Sequence, residues 1–152
     1  MILRRKAKPR LRRPVQLTLD AMWGDPEALG AEPRIYRLNL PWRVPPLSLN
    51  RRLPHMAEAR IAGRIRAHVG WMARQARIPR AEHCTVTLVW APGDNGRRDT
   101  DNPVPTLKHA CDGLVDAGIV PDDTPRWMTK NETKILTGPS RPRGLWLEIE
   151  VE

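Results

Sequence analysis

Residues 83–123 read HCTVTLVWAPGDNGRRDTDNPVPTLKHACDGLVDAGIVPDD, a run that combines one strand, one helix and a dense group of acidic residues. His83 to Trp90 is rich in β-branched side chains and predicts a buried strand. After a loop, the apolar spacing predicts a helix from Pro103 to Ala117, with proline at its first position and Gly118 just past its end. The apolar stripe of this helix consists of Val104, Leu107, Cys111, Leu114 and Val115. A strand followed by such a helix is typical of a helix that packs on a sheet.

Weaker patterns on both sides complete this prediction. Upstream, we expect a strand from Ile35 to Leu40 and a helix from Met56 to Arg77. The apolar stripe of that helix consists of Ile61, Ile65, Val69 and Met72. Downstream, we expect strands from Met128 to Leu136 and from Gly144 to Val151. The order of elements implies an α+β fold, a mixed sheet with two main helices packed on it.

The composition narrows the class of protein. The chain has 152 residues, enough for one domain, and a formal net charge of +9, which predicts binding to nucleic acid or to an anionic surface. No apolar run is long enough to span a bilayer, and no secretory signal is recognisable, so we expect a cytoplasmic protein that does not enter a membrane. Cys84 and Cys111 are expected to be reduced core thiols, and the spacing of cysteines and histidines argues against zinc.

Residues 1–33 are predicted to form a basic tail, which leaves 34–152 as the folded domain. The first 13 residues hold seven arginines and lysines, and the rest of the segment has no sustained apolar period. Such a segment buries too little apolar surface to order itself. A solvated, disordered extension and a non-specific tether for phosphates are both compatible with this composition.

The acidic residues in this basic chain suggest a bound divalent cation. Asp99 and Asp101 are two residues apart, so an extended backbone would project both to one side. Asp122 and Asp123 follow the predicted helix, which could return the chain to the level of the first pair. Carboxylates gathered in this way repel one another unless a cation neutralises them, and Mg²⁺ is the natural candidate because it takes oxygen ligands.

Each acid also has an ordinary structural interpretation. Asp101 or Asn102 could cap the helix, and Asp122 and Asp123 could be turn residues. Asp112 lies one helical turn after Lys108 and could form an ion pair with it. Asp116 is expected to be solvated.

The combination of motifs is more specific than any one of them. It consists of Arg98-Asp99-Thr100-Asp101-Asn102, Lys108, Asp112-Gly113-Leu114 with Ala117-Gly118, and Asp122-Asp123. Taken together, the chain from about Tyr36 onward resembles the RusA-type Holliday junction resolvases, which are crossover-junction endodeoxyribonucleases of bacteria and their phages. The resemblance extends to Leu40-Pro41-Trp42 and to a loop around Asn50-Arg51-Arg52. The segment before Tyr36 lies outside it.

The resemblance implies a homodimer that resolves four-way DNA junctions by paired symmetric nicks and depends on Mg²⁺, for which Mn²⁺ can substitute. It implies that Asp99, Asp101 and Asp123 bind the metal and that Lys108 is the catalytic lysine. Asp123 is preferred to Asp122 because the third acid of the family is the second of this pair. Arg98 is implied to be a basic residue beside the site. The residues expected to bind DNA are Arg97, Arg98, Asn50, Arg51 and Arg52.

The chain departs from the family pattern at one place. The interval from Asp101 to Lys108 is three residues longer than the pattern, with Pro103 and Pro105 inside it. If those residues were helical, they would displace Lys108 by ~5 Å along the axis. Whether Lys108 reaches the acids is therefore the open question of this assignment.

Three other functions are compatible with parts of the sequence. A related nuclease could act on flaps, forks or nicked duplexes, because no sequence motif indicates the arm geometry of the substrate. A non-catalytic DNA-binding protein could share the fold, although acidic side chains that face phosphates would not help such a protein to bind DNA. A basic RNA-associated protein would explain the charge but not the acidic group.

Overall fold

The computed structural model describes residues 32–152. The prediction of a disordered basic tail therefore lies outside the described residues, apart from its last two. Among the residues described, no helix has the length and the apolar character needed to cross a membrane.

Residues 32–152 form an α+β fold of five strands and two helices. Its elements are β1 (Arg34–Asn39), α1 (His55–Gln75), β2 (Cys84–Ala91), α2 (Val104–Asp116), β3 (Met128–Lys130), β4 (Lys134–Ile135) and β5 (Gly144–Val151). The strands make one mixed sheet in the order β1-β5-β2-β3, with β4 also paired to β2. β5 runs antiparallel to both β1 and β2, whereas β3 and β4 run parallel to β2. The predicted fold class is confirmed, and most predicted bounds agree within one or two residues.

One predicted element was wrong, because Met128 to Leu136 is two short strands rather than one. Val86 pairs with Lys130 and Val89 pairs with Lys134. Between these two pairs β2 advances three residues, whereas the segment that holds β3 and β4 advances four. The extra residue makes a bulge, which interrupts the ladder and bends the chain. The side chain of Asn131 secures the bulge by donating to the Thr87 hydroxyl at 2.9 Å.

The core lies between the sheet and the helices. β2 is buried along its whole length except at Thr85, as expected for a central strand with neighbours on both edges. The α1 stripe behaves as predicted, since Ile65 and Val69 are fully buried and Ile61 and Met72 pack on the same cluster. Both cysteines are free and buried, as predicted, and burial raises the pKa of Cys84 to about 11 and that of Cys111 to about 12.

The two helices approach closely at a pair of glycines. A methyl group added at Gly113 of α2 would lie 2.5 Å from the backbone oxygen of Arg66 in α1, and one added at Gly70 would lie 3.0 Å from the backbone oxygen of Gly113. Arg66 and Asp116 form an ion pair across the same crossing, and Asp116 is exposed to solvent, as predicted. Hydrogen bonding to Arg66 lowers the pKa of Asp116. The absence of side chains at the crossing lets α2 lie in one fixed place against α1.

The crossing predicts opposite effects for two glycine substitutions. Gly113→Ala should lower the free energy of unfolding by about 1–3 kcal/mol, because the helices must move apart to admit the methyl group. Gly63→Ala is the matched control on an exposed face of α1, where nothing lies within 4 Å of the added carbon. It should raise stability by roughly 0.5–1 kcal/mol, the usual gain of alanine over glycine in a helix. Urea unfolding measures both, and equal effects would contradict the close crossing.

Candidate active site

The segment between β2 and α2 is a turn rather than an extended strand. The amide of Asn102 donates to the backbone oxygen of Asp99 at 3.2 Å, and the amide of Val104 donates to that of Asp101 at 3.0 Å. The chain turns because Pro103 and Pro105 fix the backbone for the start of α2. An extended backbone would have projected Asp99 and Asp101 to the same side. The turn instead directs them into two different cavities.

The cavity of Asp99, about 470 Å³ in volume, is mainly polar and is lined by two arginines. Its lining residues are Ser48, Asn50, Trp90, Arg97, Arg98, Asp99 and Asn102. Three of the predicted DNA-binding residues therefore share a cavity with one predicted metal ligand. Arg51 and Arg52 line a neighbouring cavity of about 320 Å³ that shares Ser48 with the first.

Two sets of hydrogen bonds, called polar ties below, hold the 47–50 loop beside the acidic turn, which is the segment 99–104 that carries Asp99 and Asp101. The hydroxyl of Thr106, fully buried in α2, accepts from the amide of Leu47 at 3.0 Å and donates to the backbone oxygen of Leu47 at 2.7 Å. The amide of Leu49 donates to the backbone oxygen of Asn102 at 3.0 Å. These ties bring Asn50 to the Asp99 cavity, although 49 residues separate the two in sequence.

Arg98 is held within its own loop. Its guanidinium donates to both carboxylate oxygens of Asp94, at 2.8 and 2.9 Å, and lies 4.9 Å from the centre of the Trp90 ring. Hydrogen bonding from Arg98 lowers the pKa of Asp94 to about 2. The charge of Arg98 is thus largely balanced by Asp94, whereas Arg97 forms no ion pair with any residue of 32–152. Of the two arginines, Arg97 is the better placed to contact a phosphate.

The cavity of Asp101, about 400 Å³ in volume, brings together acids and lysines from three elements. It is lined by Asp101, Val104, Leu107, Lys108, Lys130, Asn131 and Glu132. Lys108 therefore faces the same cavity as Asp101, despite the longer interval between them. Val104, predicted for the apolar stripe of α2, is instead exposed because it is the first residue of the helix and borders this opening.

Asp123 is connected to this cavity through Lys130. The Nζ atom of Lys130 lies 2.5 Å from a carboxylate oxygen of Asp123, and each side chain is about one-third exposed. Hydrogen bonding to Lys130 lowers the pKa of Asp123, and the charge of Lys108 lowers it further. Burial alone would lower the pKa of Lys130, but its hydrogen bond with Asp123 and the nearby negative charges raise it overall. Asp122 behaves as a turn residue, because its carboxylate accepts from the Asp123 amide.

The predicted ligands are carboxylates, the ligand type that Mg²⁺ prefers, but the structure does not gather them into one group. Within residues 32–152, no three side chains of histidine, cysteine, aspartate or glutamate form a group that could hold a metal ion. Asp123 meets a positive charge, the Lys130 ammonium, and Asp101 borders the cavity that this lysine lines. Asp99 lies in the other cavity.

The contacts exclude two of the ordinary structural roles, capping of α2 and an ion pair between Lys108 and Asp112. The helix cap at Pro103 has no side-chain hydrogen bond, so neither Asp101 nor Asn102 caps α2. A carboxylate oxygen of Asp112 lies 3.3 Å from a ring nitrogen of His109, and Asp112 forms no ion pair with Lys108, so that alternative is excluded.

Sequence reasoning missed Lys130 and Glu132. Glu132 accepts a hydrogen bond from the Thr100 hydroxyl, which joins the bulge after β3 to the acidic turn. Neither residue belongs to a motif, and their only sequence signal is a position shortly after Asp123. Both reach the cavity because β3 pairs with β2 beside the turn.

No protein-family model matches the chain, and no curated protein matches it either. The resemblance to the RusA-type resolvases therefore depends on the residues quoted above.

The polar tie at Thr106 yields a testable expectation. Thr106→Val removes the hydroxyl and leaves a buried amide and a carbonyl oxygen of Leu47 without partners, which should cost about 1–3 kcal/mol of unfolding free energy. Thr106→Ser keeps the hydroxyl and is the control, with a smaller loss. Amide hydrogen exchange at Leu47 and Leu49 should accelerate in the valine variant alone, and unchanged exchange would contradict the tie.

The Asp94–Arg98 pair yields an expectation about pH. Because the pKa of Asp94 is lowered to about 2, the pair stabilises the loop above the ordinary carboxyl pKa, and this support is lost as pH falls toward 2. Carbon NMR should place the Asp94 carboxyl midpoint near 2, and it should rise in Arg98→Met, although the Gly96 amide still donates to Asp94 there. Arg97→Met should leave the midpoint unchanged. A wild-type midpoint near ~3.9 would contradict the pairing.

Proposed function

We propose that this chain is a Mg²⁺-dependent, structure-specific endodeoxyribonuclease of the RusA type, which resolves four-way DNA junctions by paired nicks. One observation supports the proposal most. Asp101, Lys108 and Lys130 line one cavity, and Asp123 is bonded to Lys130. Acids from two separate segments thus stand beside two lysines on the surface of a basic protein, a combination suited to cleavage of a phosphodiester.

The surrounding charges favour DNA as the substrate. Basic side chains flank the acids, with Arg97 at the Asp99 cavity and Arg51 and Arg52 at the next one. Arg60, Arg64 and Arg74 of α1 and Arg77 just after it are all exposed. A surface of this kind attracts the phosphate backbone and releases its counterions.

In this proposal the lysines bind the phosphate and the acids bind the cation. Lys108 and Lys130 would bind the scissile phosphate and offset the charge that develops on its oxygens during in-line attack by water. Asp101 and Asp123, joined by Asp99 after a rearrangement of its turn, would hold a divalent cation. When bound, Mg²⁺ lowers the pKa of a coordinated water and stabilises negative charge on the phosphate. No residue is assigned as a covalent nucleophile, because water attacks directly.

A dimer follows from the substrate rather than from a contact in the structure. One site cuts one strand, whereas resolution of a junction requires two symmetric nicks. A two-fold dimer would present two sites to opposed strands of a two-fold junction. Flap or fork cleavage would need only one site, and a panel of branched substrates separates these activities.

Cleavage of a synthetic four-way junction tests the assignment of the acids. Asp101→Asn and Asp123→Asn should each reduce the rate about 100-fold or more in Mg²⁺, because each removes a negative charge that would hold the cation. Asp99→Asn should do the same if Asp99 joins them. Asp122→Asn is the matched control beside Asp123, and it keeps an oxygen for the Asp123 amide.

The same variants distinguish cleavage from binding. Junction binding in a chelating buffer should persist in all of them, and it should tighten where a negative charge near the phosphates is lost. Full cleavage by both Asp101→Asn and Asp123→Asn would refute the metal-site assignment. Binding without cleavage by the wild-type protein, on every branched substrate, would favour the non-catalytic DNA-binding protein.

Salt dependence tests the basic surface by itself. Each phosphate contact should contribute about −0.9 to the slope of log affinity against log salt concentration on duplex arms. We expect a steep slope for the wild-type protein, and Arg97→Met should reduce its magnitude by about one contact. Arg98→Met should change it less, because Asp94 already balances that charge. A flat salt profile would contradict a basic DNA-binding face.

A further inference from the structure

We propose that the cavity of Asp99 receives one unpaired nucleobase of the DNA, which stacks on the guanidinium of Arg98 and is held at its edge by two carboxamides. This inference rests on the proposed function and deepens it, because it names the part of the substrate that this cavity binds. The resemblance treats Arg98 only as a basic residue beside the site, and no motif indicates a base-binding cavity.

Arg98 is better suited to stacking than to binding a phosphate. Its two Nη atoms donate to the carboxylate of Asp94, and Nη1 also donates to the backbone oxygen of Gly96 at 2.9 Å. The pair with Asp94 offsets the positive charge that would otherwise attract a phosphate. The guanidinium remains a flat group held in one orientation, and a flat guanidinium can stack on a nucleobase.

Trp90 supports Arg98 on one side. The guanidinium carbon lies 4.9 Å from the centre of the Trp90 ring, and Trp90 is only 9% exposed. The indole Nε1 donates to the backbone oxygen of Arg43 at 3.1 Å, which fixes the ring. Because both side chains line the same cavity, a base that enters it meets a stacking surface that is already in place.

Three other polar groups of the cavity match the edge of a base better than a phosphate. The carboxamides of Asn50 and Asn102 each offer donors and an acceptor, as the ring nitrogens and amino groups of a base require. The carboxylate of Asp99 lines the same cavity and forms no ion pair with any residue of 32–152. Its negative charge would repel a phosphate that entered the cavity, whereas it would not repel an uncharged base.

The cavity has the size of a small-ligand pocket, and its walls are held in place. Its volume of about 470 Å³ lies within the range of roughly 300–1,000 Å³ that is typical of such pockets. The polar ties at Thr106 and Leu49 hold the loop that carries Asn50 against the turn that carries Asn102. A preformed cavity avoids the cost of ordering its walls when a base binds.

Branched DNA can supply such a base. A base leaves the stack at the lowest cost where pairing is already interrupted, as it is in a single strand or beside a branch point. Arg97 borders the same cavity and is exposed, so it can contact the phosphate of the same nucleotide at the surface. Base stacking would thus add to the phosphate contacts and favour branched DNA over an intact duplex.

Binding of a nucleoside tests the cavity without any phosphate. Deoxyadenosine is uncharged, and it should shift the NMR signals of the Trp90 indole and of the Asn50 and Asn102 carboxamides until they saturate. Arg98→Lys keeps the charge but loses the flat guanidinium, so it should weaken this binding about fivefold or more. Arg143→Lys is the matched control, because Arg143 lines a different cavity. Inorganic phosphate should leave the signals in place, and shifts with phosphate but not with deoxyadenosine would overturn the proposal.

A second variant tests the contacts with the edge of the base. The double variant Asn50→Asp, Asn102→Asp keeps the shape of both side chains and removes the donors that the ring nitrogens of adenine accept from. It should weaken deoxyadenosine binding roughly fivefold and leave Arg98 in place. Thermal unfolding of both variants should match that of Arg143→Lys, which ensures that a lost affinity does not reflect a damaged fold. Wild-type affinity in both variants, or no shift with deoxyadenosine at all, would refute the cavity as a base site.

An abasic scan extends the test to DNA. One abasic nucleotide is placed in turn at each position beside the branch point of a synthetic junction, and binding is measured in a chelating buffer. One position should weaken binding by the wild-type protein about fivefold or more. The same substitution should have little further effect on Arg98→Lys, because both changes remove one shared contact. Equal losses in the two proteins at every position would contradict the stacking on Arg98.

These measurements fail separately from the proposed function. They include no cleavage step and no divalent cation, and the nucleoside experiment contains no DNA. If deoxyadenosine binds as expected but no branched substrate is cut, only the proposed function is refuted. If junctions are cut while deoxyadenosine shifts none of the signals, only the base-binding cavity is refuted.

Discussion

The close contact of α1 and α2 is the constraint on which the site depends. The two helices meet where Gly113 faces the backbone of Arg66, and there is no room for even a methyl group between them. α2 carries Lys108, begins at the acidic turn and ends shortly before Asp123. Because α2 lies in one place against α1 and the sheet, both acid-bearing segments are fixed relative to the central strand.

Hydrogen bonds between segments then hold the residues of the site in place on this packed framework. The buried hydroxyl of Thr106 and the Leu49 amide hold the 47–50 loop to the helix and its turn. On the other side, the bulge after β3 is held by Asn131, and Glu132 reaches the turn through Thr100. The buried hydrogen bonds of Thr106 satisfy groups that would be costly to leave without partners away from water. The acids and lysines are therefore positioned by contacts that themselves stabilise the fold.

Much of the architecture could be predicted because local patterns determine it. The β-branched run of β2, the apolar stripe of α1 and the proline and glycine that bracket α2 all predicted elements that the structure contains. The strand after Asp123 could not be predicted correctly, since the bulge depends on pairing with β2, a partner distant in sequence. Val104 was misassigned because the helical period does not show where the sheet stops covering the helix.

The site was harder to predict for the same reason. The spacing of Asp99 and Asp101 suggested one face, but the prolines after them force a turn that separates their cavities. The pairs Asp94–Arg98 and Asp123–Lys130 depend on side chains meeting in space, although the residues of each pair are only four and seven positions apart. No motif reports such a meeting, and this explains how a lysine outside every motif came to face the acids.

The central claim is that the acidic turn and Asp123 serve one cation. Titration of the isotope-labelled protein with Mn²⁺, followed by amide NMR, tests it most directly, because the paramagnetic ion broadens only nearby signals. The account predicts that the amides of Asp101, Lys108, Asp123 and Lys130 lose intensity together at low Mn²⁺ concentration. Broadening confined to one of the two acid-bearing segments, or scattered evenly over the surface acids, would contradict it.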